Sequence, residues 1–365
     1  MPSTGAQSLS ARLLERVLAA IHAAGGWLPF DRFMALALYE PGLGYYSRGN
    51  RQFGTMPSSG SDFVTAPELS PLFGQTLARQ IAQALDAAAA DEVIEFGAGS
   101  GALAGQLLEA LGPRVRRYSI VDLSGALRER QALTLAPWAG RVQWLDAWPE
   151  QMHGVVIGNE VLDAMPVQLL HWDGTAWFER GVVADELSLK WADRSTPLQP
   201  PWPGPFAPGT VTEIHPQAEA FMRSLAERLT RGAAFFIDYG FPQGEYYHPQ
   251  RTGGTLMCHR AHRSDTDPLV DVGEKDITAH VNFSGIALAA QDAGLTVLGY
   301  TSQARFLINC GLAELLQAAD ARTQVQAQAL IAEHEMCELF KVIGFARGMQ
   351  LDAMGFAAAD RSHRL

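Results

Sequence analysis

Short apolar runs that alternate with helix-length stretches are the feature of this sequence that most restricts its fold. Each of the first five runs is four to eight residues long and is bounded by turn-forming residues. This spacing is typical of buried parallel strands joined by helices, so the pattern predicts an α/β domain with a doubly wound sheet. The runs are 93–96, 118–123, 142–146, 154–160 and 233–240, and two later runs at 295–307 and 339–348 would complete one edge of the sheet.

The first 86 residues have a different character. Residues 8–24 carry apolar side chains at helical spacing, with Ser8 or Ser10 as a possible N-cap and Gly25 as a stop, which predicts an ordinary first helix and not a cleaved leader. The stretch 27–83 is dense in aromatic residues, glycine and proline, so we expect it to form either a lid or a fixed cover. We therefore predict a cap (1–86), an α/β domain (87–348) and a C-terminal tail (349–365).

Two insertions interrupt the α/β pattern. The first, at about 167–212, alternates like β-structure around the hairpin signal Asp173-Gly174 and ends in a proline-rich stretch, after which a helix is expected from about 216 to 230. The second spans about 241–275. Both are predicted to decorate the sheet.

Charge and cysteine content exclude several classes of function. The formal net charge is −11, which disfavours binding to nucleic acid or to anionic membranes. No apolar run approaches the roughly 20 residues of a membrane-spanning helix. The three cysteines form no CxxC pair, which argues against a disulfide framework and favours a reducing compartment.

The Gly-rich string after the first predicted strand is the most informative motif. Gly97, Gly99 and Gly101 give the spacing GxGxG, which lets the chain turn tightly and lets a ligand approach the backbone closely. Glu95 lies two residues before the first glycine, where it would attract an ammonium group and repel a pyrophosphate. The string is similar to the first motif of class I S-adenosylmethionine methyltransferases and argues against NAD. The alternative is a structural turn without a ligand.

Acidic residues at the next two strand ends fit a bound nucleoside. Asp122 follows the second strand, where a carboxylate can accept hydrogen bonds from both ribose hydroxyls. Asp146 follows the third strand and is placed either to accept from an adenine amino group or to cap a turn. Ala98 and Leu123 complete the predicted cofactor-binding set.

The fourth strand delivers Asn159, Glu160 and Asp163 to the crevice at the carboxyl ends of the strands, where ligands of open α/β sheets bind. If the chain turns helical after Glu160, the two carboxylates lie on one face and can hold a cationic nucleophile such as a guanidinium. Glu68 and Asp238 are expected to join them. The alternative is that Glu160 caps a turn and that Asp163 is a first-turn helix acid.

Three further residues are candidates for the substrate side of the site. Tyr46 and Phe63 lie in the aromatic-rich segment, and His280 is either a base or a structural histidine. Cys258, His259 and His262 suggest a metal, but a fourth ligand at a persuasive spacing is missing from the sequence, so we expect no metal site.

Together these strings resemble the MidA-like methyltransferases, a family that includes a mitochondrial complex I assembly methyltransferase and many bacterial proteins. The resemblance covers about residues 27–348, and two departures are Ser61 in place of a glycine and Met257 in place of a usual Arg or Lys. The matching strings are PFDRFMALALYEPGLGYY, FGTMPSSGSDFVTAPELSPLFG, VIEFGAGSGALAGQLL, GNEVLDAMPV, FFIDYG, GGTLMCHRAH, DITAHVNFSGIALAAQDAGL and ELFKVIGFARG.

The resemblance implies an enzyme on the seven-stranded class I methyltransferase fold with S-adenosylmethionine as cofactor. Its mitochondrial member symmetrically dimethylates arginine in a complex I subunit, so a protein arginine, in a complex I type subunit, is the favoured acceptor. By position, Glu95 and the three glycines match the cofactor motif, and the string from Asn159 to Asp163 matches the motif at the fourth strand. A bacterial cytoplasmic enzyme is expected.

Two other functions are compatible with the sequence. The aromatic-rich segment could enclose a flat apolar substrate, which would suit a small-molecule O- or N-methyltransferase. A noncatalytic assembly protein could retain the same fold as a scaffold, because fold alone does not establish activity.

Overall fold

The computed structural model describes residues 8–48, 65–122, 125–186, 188–260, 263–331 and 338–365. The strands are β1 (Leu28–Pro29), β2 (Glu92–Phe96), β3 (Arg117–Val121), β4 (Val142–Leu145), β5 (Met152–Asn159), β6 (Gln168–Trp172), β7 (Trp177–Asp185), β8 (Ser188–Ser195), β9 (Val211–Ile214), β10 (Leu229–Phe241), β11 (Met257–Arg260), β12 (Arg263–Asp265), β13 (Asp276–Thr278), β14 (Val281–Asn282), β15 (Thr296–Ser302) and β16 (Phe340–Arg347). The helices are α1 (Leu9–Ala23), α2 (Phe30–Tyr39), α3 (Ala66–Leu69), α4 (Pro71–Ala88), α5 (Ala102–Leu111), α6 (Gly125–Thr134), α7 (Pro216–Arg228), α8 (Gln243–Tyr246), α9 (Phe283–Asp292), α10 (Gln303–Asn309), α11 (Leu312–Ala318) and α12 (Ala321–Gln328).

The main sheet contains all seven predicted runs in the order β15-β16-β10-β5-β2-β3-β4, and the short strand β14 pairs with the end of β10. Strands β4, β3, β2, β5 and β10 are parallel, whereas β16 runs antiparallel to both β10 and β15. The predicted seven-stranded, doubly wound sheet is therefore confirmed. Because the five parallel strands end at one edge, the residues that follow them converge there.

Helices cover both faces of this sheet, which explains why its strands are apolar on both sides. On one face, α4 and α5 pack against the sheet through residues such as Leu77, Leu107 and Ile157. On the other face, α7 and α9 contribute Met222 and Ile286 to a second core. The helix predicted near 216–230 is thus present as α7.

The first insertion supplies most of a separate antiparallel sheet, which β1 joins from the N-terminal region; its order is β1-β7-β6-β9, with β8 paired to β7. The Asp173-Gly174 hairpin is confirmed, since Asp173 Oδ1 accepts hydrogen bonds from the backbone of Thr175 (2.6 Å) and Ala176 (2.8 Å). Helices α1 and α2 share a core with this sheet, and Ser8 caps α1 as one of the two predicted residues. The second insertion supplies β11 and β12, which join β13 in a three-stranded sheet.

Two segments that adjoin the predicted domain boundaries pack on the main-sheet domain. Helix α4 belongs to the core of the main sheet, because its apolar face packs on α5 and β5, although we predicted it as part of the 1–86 cap. The 349–365 tail is anchored on the same domain, with Phe356 buried beside Phe306. Residues 49–64, on which the prediction of a lid or cover largely depends, lie outside the described residues.

Candidate active site

A cavity of about 870 Å³ lies at the carboxyl ends of the parallel strands. Its wall is strongly acidic, and none of the described residues that line it is Lys or Arg. The carboxyl groups in the wall are those of Glu68, Glu95, Asp122, Asp146, Glu160, Asp163 and Asp276. A cavity with this lining attracts cations and repels phosphates.

The Gly-rich turn joins β2 to α5 in the left-handed region of backbone space. The φ angles of Gly97, Gly99 and Gly101 are 64°, 54° and 82°, values that residues other than glycine rarely adopt. A Cβ atom at Gly97 would also lie 3.1 Å from Val161 Cγ2. The turn is therefore a cradle of bare backbone that opens into the cavity, and Ala98, one of the predicted cofactor-binding residues, lines that cavity.

Glu95 is buried at the end of β2, with 2% of its surface exposed. The Tyr118 hydroxyl donates a 2.7 Å hydrogen bond to Glu95 Oε2. Burial raises the pKa of Glu95 to about 8, the Tyr118 hydrogen bond lowers it, and repulsion from Asp122 adds to the rise. The carboxyl group is thus mostly neutral at pH 7 until a cation enters the cavity.

The ends of β3 and β4 are fixed by two side chains of α6. Gln131 donates hydrogen bonds to the Gly99 carbonyl (3.0 Å) and to Asp122 Oδ2 (2.8 Å). Arg128 contacts Asp146 Oδ1 at 2.5 Å and the Asp122 carbonyl at 3.0 Å. Asp122 and Asp146 both line the cavity, but Asp146 is largely exposed. Leu123 lies outside the described residues.

The turn after β5 carries the predicted catalytic residues. The chain does not turn helical after Glu160, which was the condition for placing both carboxylates on one helix face: residues 160–166 form a turn in which Glu160 has a φ of 54°. Asp238 Oδ2 accepts hydrogen bonds from the backbone N–H groups of Val161 (3.1 Å), Leu162 (2.9 Å) and Asp163 (3.3 Å). A helix is unnecessary here because the Asp238 carboxyl, at the end of β10, satisfies these donors.

Asp238 therefore has a different position from the one predicted. Only 1% of its surface is exposed, and it lies beneath the turn, outside the set of described residues that line the cavity. Its hydrogen bonds hold the backbone of the turn from Val161 to Asp163. The predicted alternative, in which Glu160 caps a turn, is not observed, since the cap is Asp238.

Glu160 and Asp163 both face the cavity with raised pKa values. Burial, followed by repulsion from Asp163, raises the pKa of Glu160 to about 8. Burial raises the pKa of Asp163 to about 6 against a lowering hydrogen bond from Tyr239. Asp163 Oδ1 and Asn159 Oδ1 are buried polar atoms without a hydrogen-bond partner. Unpartnered buried acceptors are costly, so these atoms indicate a ligand that brings donors.

Aromatic side chains line the part of the cavity next to this turn. Tyr39 and Tyr46 are stacked with ring centroids 5.6 Å apart. The Tyr39 hydroxyl donates to the Ala164 carbonyl (2.7 Å), and the Tyr46 hydroxyl donates to Asp276 Oδ1 (2.8 Å). Tyr46, which was predicted for the substrate side of the site, lies in the cavity wall.

The other predicted substrate residues occupy varied positions. Glu68 lines the cavity, and the Ser100 hydroxyl donates to its Oε1. His280 lines the cavity with Nδ1 unpartnered, and burial lowers its pKa to about 4, so it is neutral. Phe63 lies outside the described residues. In the described part of the chain, no three His, Cys, Asp or Glu side chains are grouped to hold a metal ion.

Sequence reasoning missed Gln131, Tyr39 and Asp276 as site residues. Gln131 lies inside α6, a mostly polar helix in which no local sequence signal sets it apart. Asp276 lies in the string DITAHV, which matched the family, and this match was the signal that could have identified it. Tyr39 enters the site only because α2 packs beside the turn after β5.

The fold and the site together define the class I S-adenosylmethionine-dependent methyltransferases. The model of a family described as S-adenosyl-L-methionine-dependent methyltransferases matches residues 76–301. The chain belongs to this family, whose MidA-like branch the sequence motifs identify.

Solved structures and curated proteins agree with this assignment. A COG1565 superfamily member from Burkholderia thailandensis, crystallised with S-adenosyl-homocysteine, is 51% identical with a TM-score of 0.94, covering 100% of this chain and 99% of that one. A native structure of a COG1565 superfamily protein from the same organism is 50% identical with a TM-score of 0.91. The human and bovine mitochondrial protein arginine methyltransferases NDUFAF7 are each 29% identical over 330 residues, covering 79% of this chain and 70% of theirs.

The cofactor of this chain is S-adenosylmethionine. The cradle of left-handed glycines and the buried Glu95 fit its amino-acid portion, and the carboxylates after β3 and β4 fit its nucleoside. Within the described residues, no helix combines the length and the hydropathy needed to cross a membrane.

Proposed function

We propose that this chain is a protein arginine N-methyltransferase. The observation that carries the proposal is the cavity wall, in which seven carboxyl groups and several tyrosines are accompanied by no Lys or Arg among the described residues. A guanidinium is the protein side chain that best complements such a wall, since it is permanently charged and presents five N–H donors. The names of the human and bovine relatives also support an arginine acceptor.

At the cofactor end of the cavity, this chain would bind through Glu95, Asp122, Asp146 and the turn from Gly97 to Gly101, which includes Ala98. Bound S-adenosylmethionine supplies a methyl group on a positively charged sulfonium. Glu95 would accept hydrogen bonds from the ammonium, and Asp122 would accept from the ribose hydroxyls. Gln131 would keep the glycine turn and Asp122 in register.

At the acceptor end, Glu160 and Asp163 would accept hydrogen bonds from the guanidinium and orient its attacking nitrogen. The two carboxylates would draw the positive charge toward the nitrogens that do not react, which leaves electron density on the one that does. Asn159 donates a 3.0 Å hydrogen bond to Glu160 Oε1 and so fixes its direction. The nitrogen loses its proton as the new bond forms, and Glu160 or Asp163 would receive it.

The acceptor protein and its compartment complete the proposal. A subunit of a respiratory complex of the complex I type is the proposed acceptor, supported by the resemblance to the mitochondrial family member. A cytoplasmic location is supported by Cys258 and Cys310, which are buried and unpaired.

The test is transfer of a labelled methyl group. Purified protein is incubated with S-adenosylmethionine carrying a tritiated methyl group and with cell extract, and the acid-hydrolysed protein fraction is analysed for methylarginine. We expect methylarginine with the wild type and a loss of at least about 100-fold with Glu160→Gln, since charge-assisted hydrogen bonds at a reacting centre are worth this much. Glu186→Gln is the matched control, because Glu186 has the same left-handed backbone (φ 53°) but lies in an exposed turn.

The outcomes separate the alternatives. Label in small molecules instead of protein would contradict the proposal and favour a small-molecule methyltransferase, for which the stacked pair Tyr39 and Tyr46 is the supporting observation. Binding of S-adenosylmethionine without any transfer would favour a noncatalytic assembly protein.

A further inference from the structure

The acceptor end of the cavity contains a third carboxylate that comes from a different part of the fold. Asp276 opens β13 and pairs with His259 in the small sheet β12-β11-β13. It lines the cavity although only 3% of its surface is exposed, and its negative charge is near enough to raise the pKa of Glu160. Carboxylates from two separate sheets therefore meet in one cavity.

The stacked tyrosines connect these two groups of carboxylates. Tyr39 is hydrogen-bonded to the Ala164 carbonyl, directly after Asp163, whereas Tyr46 is hydrogen-bonded to Asp276. The flat ring pair thus extends from the turn that carries Glu160 and Asp163 to the strand that carries Asp276. Aromatic faces favour a planar, weakly hydrated cation.

An orphaned acceptor also points to a ligand at this place. Asp163 Oδ1 has no hydrogen-bond partner although only 4% of the residue is exposed, and Asp163 lines the cavity. A compact ammonium has three donors around one centre, whereas a guanidinium carries five in a flat fork that can reach separated acceptors. The carboxylates of Glu160, Asp163 and Asp276 lie at separate positions around the rings of Tyr39 and Tyr46, an arrangement that suits the flat set of donors of a guanidinium.

We propose that Asp276, held by Tyr46, is a specificity-determining residue that anchors the guanidinium edge not engaged by Glu160 and Asp163, so that the site selects a guanidinium over an ammonium. This inference rests on the proposed arginine acceptor and names the residue that makes the selection. Tyr46 is a positioning residue, because it acts through Asp276.

The test is calorimetric titration of protein saturated with S-adenosyl-homocysteine, with n-propylguanidinium and n-butylammonium as probes. We expect the wild type to prefer the guanidinium by at least about tenfold. Asp276→Asn is expected to weaken guanidinium binding by about tenfold or more and ammonium binding by less than about threefold, in the range of one charged hydrogen bond. Tyr46→Phe is expected to weaken guanidinium binding about threefold.

Controls make the result specific. Asp271→Asn changes an exposed acid between β12 and β13, paired with Arg260, and is expected to leave both affinities unchanged. Affinity for S-adenosyl-homocysteine should stay within about twofold in every variant, which reports that the fold is intact. If Asp276→Asn loses its affinity for S-adenosyl-homocysteine, the inference is tested with Tyr46→Phe instead, since this change removes only the hydroxyl group that holds Asp276.

Three results would overturn the inference. If the affinity of Asp276→Asn for n-propylguanidinium equals that of the wild type, the assignment of Asp276 fails and the arginine acceptor stands. The same holds for Tyr46→Phe where Asp276→Asn has lost its affinity for S-adenosyl-homocysteine. If the variant loses both probes equally, Asp276 supplies charge and not selection. If the wild type itself shows no preference for the guanidinium, the proposed arginine acceptor fails and the inference falls with it.

Discussion

Replacement of Glu95 by Gln tests the electrostatics of the cofactor end without altering its shape. The amide keeps an oxygen that can accept the 2.7 Å hydrogen bond from Tyr118, but it cannot ionise. In the folded protein the pKa of Glu95 is about 8, against an ordinary value of 4.5. The folded state therefore holds a proton that the unfolded chain has already released.

The sign of the effect follows from this difference. When folding raises the pKa of a carboxyl group, the group contributes its full stabilisation at pH values below its ordinary pKa. This stabilisation is lost as the pH rises toward the pKa of the group in the folded protein. For Glu95 the loss amounts to about 3 kcal/mol of unfolding free energy between about pH 5 and pH 8. Relative to the wild type, Glu95→Gln should become more stable by about this amount over the same range.

The assay is urea unfolding of cofactor-free protein at several pH values and constant ionic strength. Glu92→Gln is the control, since Glu92 lies on the same strand and accepts a 2.6 Å hydrogen bond from Ser119, but it lies at the end of β2 remote from the glycine turn. The control should follow the wild type. If the free energy of unfolding of Glu95→Gln also falls with pH in parallel with the wild type, then Glu95 is ionised in the empty cavity and the reasoning is refuted.

The remaining predictions concern other parts of the site. Burial raises the pKa of Glu160 to about 8, and the ionised form is needed, so kcat/KM for the protein acceptor should fall as the pH drops below about 8. This pH dependence should disappear from the residual activity of Glu160→Gln. A wild-type kcat/KM that does not change with pH would contradict the prediction. Gln131→Leu should weaken S-adenosyl-homocysteine by about tenfold in a calorimetric titration, because it removes the bonds to Gly99 and Asp122, and an unchanged Kd would show that these bonds do not shape the site. Asp238→Ala should lower the free energy of unfolding, measured in urea, by about 2–4 kcal/mol and should reduce kcat, since three backbone N–H groups lose their acceptor. A free energy of unfolding within about 0.5 kcal/mol of the wild type, which is the effect of a neutral surface change, would contradict the role of Asp238 as a cap.

Site residues that follow strand ends were the easiest to predict. Glu95 and Asp122 come directly out of parallel strands, so identification of the strands located them. Asp238 was predicted to reach the site for the same reason, but its carboxyl group accepts hydrogen bonds from the backbone of residues 161–163 and does not line the cavity. Strand ends determine where a side chain starts, whereas the hydrogen-bond demands of nearby backbone determine where it points.

The sequence left the conformation after Glu160 open, for a related physical reason. The spacing of Glu160 and Asp163 fits one face of a helix, but it also fits a tight turn. The choice depends on whether an external acceptor is available for the N–H groups of residues 161–163, and Asp238 lies 75 residues further along the chain than Asp163. Local sequence contains no information about such a partner.

The sequence by itself determined the order of the main strands along the chain, the glycine turn and the acidic character of the site. These properties depend on local patterning, on the steric freedom of glycine and on side-chain charge, which do not need distant partners. Only the tertiary structure decided that Asp276 and the ring pair Tyr39 and Tyr46 share a cavity with Glu160. It also decided that Glu95 and Glu160 have pKa values near 8, because burial and the approach of other carboxyl groups arise only when distant segments pack together.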